Sequence, residues 1–237
     1  ETPSKPTSVI QYSWNESANK REYKIIDLTK YDLKPVPEDI SELKPGWYYL
    51  EKEITSTDTR ITMSGEVNLI LTDGCTLNAN KGIEVQGTDI LNIYGTGTLN
   101  ADSYMLDEAI IGGHFQYGDG TYGFGTMNVY GGVINAINNS NNTAIGNVWQ
   151  QAGGNAGTLN VYNGEINAAG RVAIGDSDFT FRYYGGNVNA DGRVYTIRTK
   201  TFEVTPTAVF TDGNGNQITK QYDKSWAETF AKYFDVV

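Results

Sequence analysis

One phrase recurs along this chain and limits what it can fold into. Its cleanest copy is GTLNVYNGEINA at 157–168. VNLILTDGCTLNA (67–79), DILNIYGTGTLNA (89–101) and GTMNVYGGVINA (125–136) come before it, and FTFRYYGGNVNA (179–190) follows. Self-similarity of this kind describes one small unit stacked on itself, because such a unit cannot bury its apolar side alone.

Laid over one another, the copies give two apolar columns, Val67, Leu91, Met127, Leu159, Phe181 and Leu69, Ile93, Val129, Val161, Tyr183. Within a strand side chains alternate with a period of two, so both columns share the inward face. The position between them, Asn68, Asn92, Asn128, Asn160 and Arg182, is read as facing outward. A glycine turn follows, then a second strand ending in Leu77-Asn78-Ala79, Leu99-Asn100-Ala101, Ile134-Asn135-Ala136, Ile166-Asn167-Ala168 or Val188-Asn189-Ala190. The asparagines of these triplets fit a ladder of side-chain amides. A third short strand comes next: KGIEV at Lys81, AIIGG at Ala109, TAIGN at Thr143, VAIGD at Val172 and VYTIR at Val194. Three strands per coil, stacked in parallel about 4.8 Å apart, make an all-β chain, a single-stranded parallel β-helix.

The reading gives one domain. Residues 1–45 are a Pro/Ser/Thr-rich linker and an N-terminal cap, with a helical turn expected around Glu38–Leu43 and the segment covering the open end of the stack. Residues 46–200 are the coils. Residues 201–237 are a C-terminal cap containing a short helix, since Lys224–Phe234 spaces Trp226, Phe230 and Phe234 helically.

The copies differ mainly after the third strand, where HFQYGDGTYGF (114–124), NVWQQAGGNA (147–156) and the stub DSD (176–178) are inserted. Leaving the stack at one corner, these loops are expected to meet in space, the usual place for function on a rigid scaffold. His114, Phe115, Tyr117, Asp119, Tyr122, Trp149, Gln150 and Asp176 are the candidate ligand-binding residues there. A second candidate surface is the column Tyr94, Tyr130, Tyr162, Tyr184 with Asn128 and Asn160 beside it, aromatic area and amides that suit the CH and OH faces of a sugar.

Charge and composition narrow the partners. The net charge of −10 disfavours nucleic acid and anionic membrane surfaces. No apolar run is long enough to span a bilayer. Cys75 is the only cysteine and reads as a small buried residue, so neither an internal disulfide nor a thiolate metal cluster is available. DGNGNQ at Asp212 reads as a plain turn, lacking the distal acid of a calcium loop. No cofactor and no metal are expected. Carboxylates for glycosidic cleavage could come from Asp107, Glu108, Asp119, Asp176 and Asp178, but spacing pairs no two of them.

GWYYLEKEITSTDTRITMSGEVNLILTDGCTLNANKGIEV (46–85), together with LNIYG and the AIGG-like third strand, resembles a family of secreted bacterial β-helix modules. These are found in surface proteins of gut anaerobes and loosely called carbohydrate-binding domains. The resemblance covers about Gly46 to Lys200. It implies a right-handed parallel β-helix outside the cell, secreted or on the bacterial surface, with a polysaccharide or glycoconjugate as partner. The architecture is also similar to that of pectin-degrading β-helix enzymes, whose signatures include Asn-Thr-Asp, Asp-Asp and Gly-His-Gly. Here Gly113-His114 is followed by Phe115, and the chain has no Asp-Asp dipeptide. The expectation is therefore a monomeric, non-catalytic glycan-binding module. The alternatives are a polysaccharide hydrolase or lyase, and a structural or adhesin spacer with no small ligand.

Overall fold

The computed structural model describes residues 3–103, 108–113, 123–148, 157–175, 179–204, 210–211, 217–218 and 232–233, without the side chains of 195–196 and 204 onward. Among these residues the chain is all-β, apart from one 3-10 turn at Leu28–Lys30.

The repeat phrase becomes parallel strands in register. One eight-stranded sheet runs from Leu33–Pro35 through Gly46–Tyr49, Glu66–Leu71, Ile90–Gly95, Thr126–Val129, Thr158–Val161 and Thr180–Tyr183 to Thr201–Val204. Val67, Leu91, Met127, Leu159 and Phe181 are aligned partners across it, all fully buried. A ten-stranded sheet holds the second strands, Ile54–Ser56, Thr76–Ala79, Thr98–Ser103 and Val133–Asn138, and the third strands, Ile83–Glu84, Ile111–Gly112 and Thr143–Gly146. Glu165–Gly175 and Asn187–Arg198 run through both sets, with a register shift between Gly170 and Val172 where the chain turns the corner. Ile83, Ile111, Ile145, Ile174 and Ile197 form the inward column of the third strands. All three sets of strands feed one continuous apolar core, and each fully buried Leu or Ile in it contributes about 2 kcal/mol. The parallel pairing extends beyond 46–200 on each side, to Leu33–Pro35 and Glu42–Leu43 before it and to Thr201–Val204 after it.

Both asparagine columns are amide ladders. In the second strands, Asn100 donates to Asn78 (2.9 Å), Asn135 to Asn100 (2.8 Å), Asn167 to Asn135 (2.9 Å) and Asn189 to Asn167 (2.7 Å). The first-strand column does the same: Asn92 to Asn68 (3.0 Å), Asn128 to Asn92 (2.8 Å), Asn160 to Asn128 (2.7 Å). The expectation that the first-strand column looks outward is corrected in part. It does alternate with the core columns, but Asn68, Asn92 and Asn160 are at most 8% exposed and spend their amides on one another. Buried amides are generally hydrogen-bonded, and stacking equivalent residues supplies the partner until Asn160, whose Oδ1 has none among the described residues because the next strand places Arg182 there.

The N-terminal segment also departs from expectation. The 3-10 turn is at Leu28–Lys30, while Glu42–Leu43 is a strand paired with Thr62–Met63. Ser8–Asn15 and Lys20–Asp27 form an antiparallel hairpin that lies on the outer face of the eight-stranded sheet instead of over its end. Val9 and Ile26 have an apolar surface to cover there, made by Tyr49, Ile70 and Tyr94. The helix expected in 224–234 falls mostly outside the described residues. Its described part, Lys232–Tyr233, is extended and pairs antiparallel with Ile197–Arg198.

Candidate functional site

The frame of the loop corner is a column of glycines. Gly112, Gly146 and Gly175 are register partners at the ends of the third strands, with φ of +148°, +136° and +105°. A Cβ on Gly112 would lie 2.0 Å from the Gly146 carbonyl oxygen. On Gly146 it would lie 2.4 Å from that of Gly175, and on Gly175 1.8 Å from that of Arg198. Only glycine tolerates both the backbone angle and the approach. Glu84 heads this column and Arg198 ends it, and these are the coils that carry no insertion. The insertions therefore leave from vertically adjacent positions.

The returning ends are gathered as well. Gly87 N donates to Gly123 O (2.9 Å) and Gly125 N to Val85 O (3.0 Å), while Phe124 N donates to Asn147 Oδ1. Phe124 and Phe179, both fully buried, pack at a ring distance of 5.5 Å beneath the corner. His114, Phe115, Tyr117, Asp119, Tyr122, Trp149, Gln150 and Asp176 themselves lie outside the described residues.

Beside the first loop root sits a cluster that sequence reasoning missed. The Arg60 guanidinium, only 9% exposed, donates to Gly112 O (2.9 Å), Ile83 O (3.3 Å) and Glu108 Oε2 (3.2 Å), and its Nε lies 3.8 Å from Glu84 Oε2. Gln86 Nε2 donates to Glu84 Oε1 (2.8 Å). Burial pushes the Arg60 pKa down, and Glu108 and then Glu84 oppose that shift. Two carboxylates held by one cation are a structural anchor, and they do not form the free acid–base pair that glycosidic cleavage needs. The sequence signal was Glu84 standing where the later coils have glycine.

The tyrosine column is a stack of rings. Tyr94–Tyr130, Tyr130–Tyr162 and Tyr162–Tyr184 have centroids 4.9, 5.1 and 5.0 Å apart and interplanar angles of 19°, 15° and 23°. Trp47 stacks on Tyr94 at 5.4 Å and Trp14 of the hairpin on Tyr184 at 5.5 Å. Gln11 Nε2 donates to the hydroxyls of Tyr94 (3.2 Å) and Tyr130 (3.4 Å), and Arg21 donates to the Tyr162 carbonyl. Each ring face is thus taken by another ring. The faces on which a sugar would stack are occupied, and the hairpin lies over the edges. Asn128 and Asn160, proposed beside this column, are spent on the amide ladder.

Burial raises the phenol pKa values of this stack, those of Tyr130 and Tyr184 up to about 12, with the neighbouring Tyr162 adding to each. A raised pKa means that the folded state holds its proton more tightly. The contribution to stability is therefore complete below the free phenol value near 10 and lost as pH rises through about 12. Phenolate absorbance followed with far-ultraviolet dichroism should show a group of tyrosines that ionises only as the fold is lost. Titration of all 16 tyrosines near pH 10 with the fold intact would contradict it.

Among the described residues no group of three or more His, Cys, Asp or Glu is placed to hold a metal ion, and no helix is long and apolar enough to cross a membrane. Cys75 is buried, and burial raises its thiol pKa. No protein-family model, curated protein or solved structure matches the chain.

Proposed function

We propose that the chain is a right-handed, single-stranded parallel β-helix with three strands per coil. It is exported, displayed on or released from a bacterial surface, and it binds a polysaccharide or glycoconjugate without cleaving it. The binding surface is the loop corner, formed by the segments carrying His114, Phe115, Tyr117, Asp119, Tyr122, Trp149, Gln150 and Asp176. The observation that supports this reading is the register of Gly112, Gly146 and Gly175, which roots three insertions in one column. Aromatic and polar side chains from separate coils then contribute to one surface on a rigid base. The tyrosine stack is assigned to stability, because its faces are filled.

Glycan-array binding by the wild type, abolished in a Tyr122→Ala/Trp149→Ala variant that keeps its thermal transition, is the expected result. Retention of no glycan by the wild type would remove the proposal. A structural spacer is the second reading, favoured by the two amide ladders and the ring stack running along the coils. A cleaving enzyme is the third reading; of its candidate carboxylates Glu108 is held by Arg60 (3.2 Å), and Asp107, Asp119, Asp176 and Asp178 lie outside the described residues.

A further inference from the structure

The N-terminal hairpin leaves one strand edge open. Ser8–Asn15 leans on the tyrosine stack, whereas Lys20–Asp27 lies outside it and, among the described residues, pairs with no strand but Ser8–Asn15. Lys20, Arg21, Tyr23, Lys24, Ile25 and Asp27 are all exposed. Tyr23 and Ile25 are each 67% exposed, and Ile10, the cross-strand partner of Ile25, is 45% exposed. Large hydrophobic side chains are otherwise covered almost throughout the described residues, Tyr31 being the other exception. A row of unpaired backbone groups flanked by apolar side chains is a template for one more strand.

We propose that Lys20–Asp27 is the docking edge for the same strand of a second copy of this chain, giving a two-fold dimer through a four-stranded antiparallel sheet. A two-fold contact requires a self-complementary strand, and KREYKIID is one. With Tyr23 opposite Tyr23 of the second copy, Glu22 faces Lys24 across the junction twice, and Arg21 lies beside Ile25. The Lys24 side chain makes no hydrogen bond or ion pair among the described residues, so its charge is free for this contact. Sliding the pairing to put Tyr23 opposite Ile25 would set Lys24 against Lys24, so charge selects the first register. This assignment departs from the monomer expected from sequence alone, where the strand's exposure was not visible.

Sedimentation velocity from low-micromolar to near-millimolar protein tests it. Wild type should pass from monomer to dimer mass, and Lys24→Glu, which sets Glu against Glu at two places, should weaken association about tenfold. Mixing Lys24→Glu with Glu22→Lys should restore a mixed dimer, because both junction contacts are then opposite in charge. Glu22 also meets Asn15 and Lys20 inside the hairpin. The near-ultraviolet signal of Trp14 on Tyr184 therefore reports whether each variant keeps its hairpin. A wild type that remains monomeric throughout, or a dimer indifferent to Lys24→Glu, overturns the proposal.

Discussion

Arg60→Met is expected to cost about 3 kcal/mol in chemical denaturation, placing it among the most damaging single changes available in this chain. Removing one partner of a buried ion cluster leaves the other charges in a poor solvent. Here the guanidinium is 9% exposed and its two carboxylates 13% and 26% exposed. The partial exposure of Glu108 puts the cost at the lower end of the usual range. The cation also donates to two backbone carbonyls, Ile83 O and Gly112 O, and these contacts would be lost with it, although Gly112 O keeps the Val85 N–H (3.1 Å). The accompanying result separates charge from shape. An Arg60→Met/Glu84→Gln/Glu108→Gln variant removes the uncompensated charge and should recover at least half of the loss. If the single variant unfolds at the wild-type midpoint, the cluster is not the anchor of the first loop root.

Gly146→Ala is expected to cost a similar amount, about 3 kcal/mol, or roughly 6–12 °C in melting temperature for a chain of this size. Two independent penalties add. A side chain at φ +136° is strained, and the new Cβ would meet Gly175 at three backbone atoms, O at 2.4 Å, C at 2.9 Å and Cα at 3.0 Å. Backbone belonging to a paired strand cannot step aside as a flexible side chain would. Gly74→Ala provides the control. Its φ is +72°, yet nothing lies within 4 Å of the added Cβ, so only the conformational cost of about 1 kcal/mol remains. Equal losses at both positions would mean that the glycine column is not held by contact between coils.

These variants show how the sequence was and was not legible. The core columns could be read because a coil repeats its own inward pattern, and Val67, Leu91, Met127, Leu159 and Phe181 align in the structure as they align in the text. The amide ladder of the second strands followed from the same repetition. The glycines of IIGG, AIGN and AIGD were on view too, since the coils that have them are those that carry insertions. What escaped was whatever depends on parts of the chain far apart in sequence. Gln11 lies 83 residues from Tyr94, Trp14 lies farther still from Tyr184, and nothing near them announces the contacts. Arg60 stands in the irregular run before the first clear copy, and its partners Glu84 and Glu108 belong to two later coils.

By itself the sequence determined that strands of this length must stack in parallel and in register, because each apolar side can be buried only by its equivalents above and below. Tertiary structure alone decided which outward residues remain available. Tyr94, Tyr130, Tyr162 and Tyr184 read as a surface, but rings repeated at the coil spacing of about 5 Å close on one another before any ligand can reach their faces. Lys20–Asp27, by contrast, reads as ordinary strand and among the described residues keeps its outer edge unpaired, since a hairpin lying against a sheet can turn only one of its two edges inward.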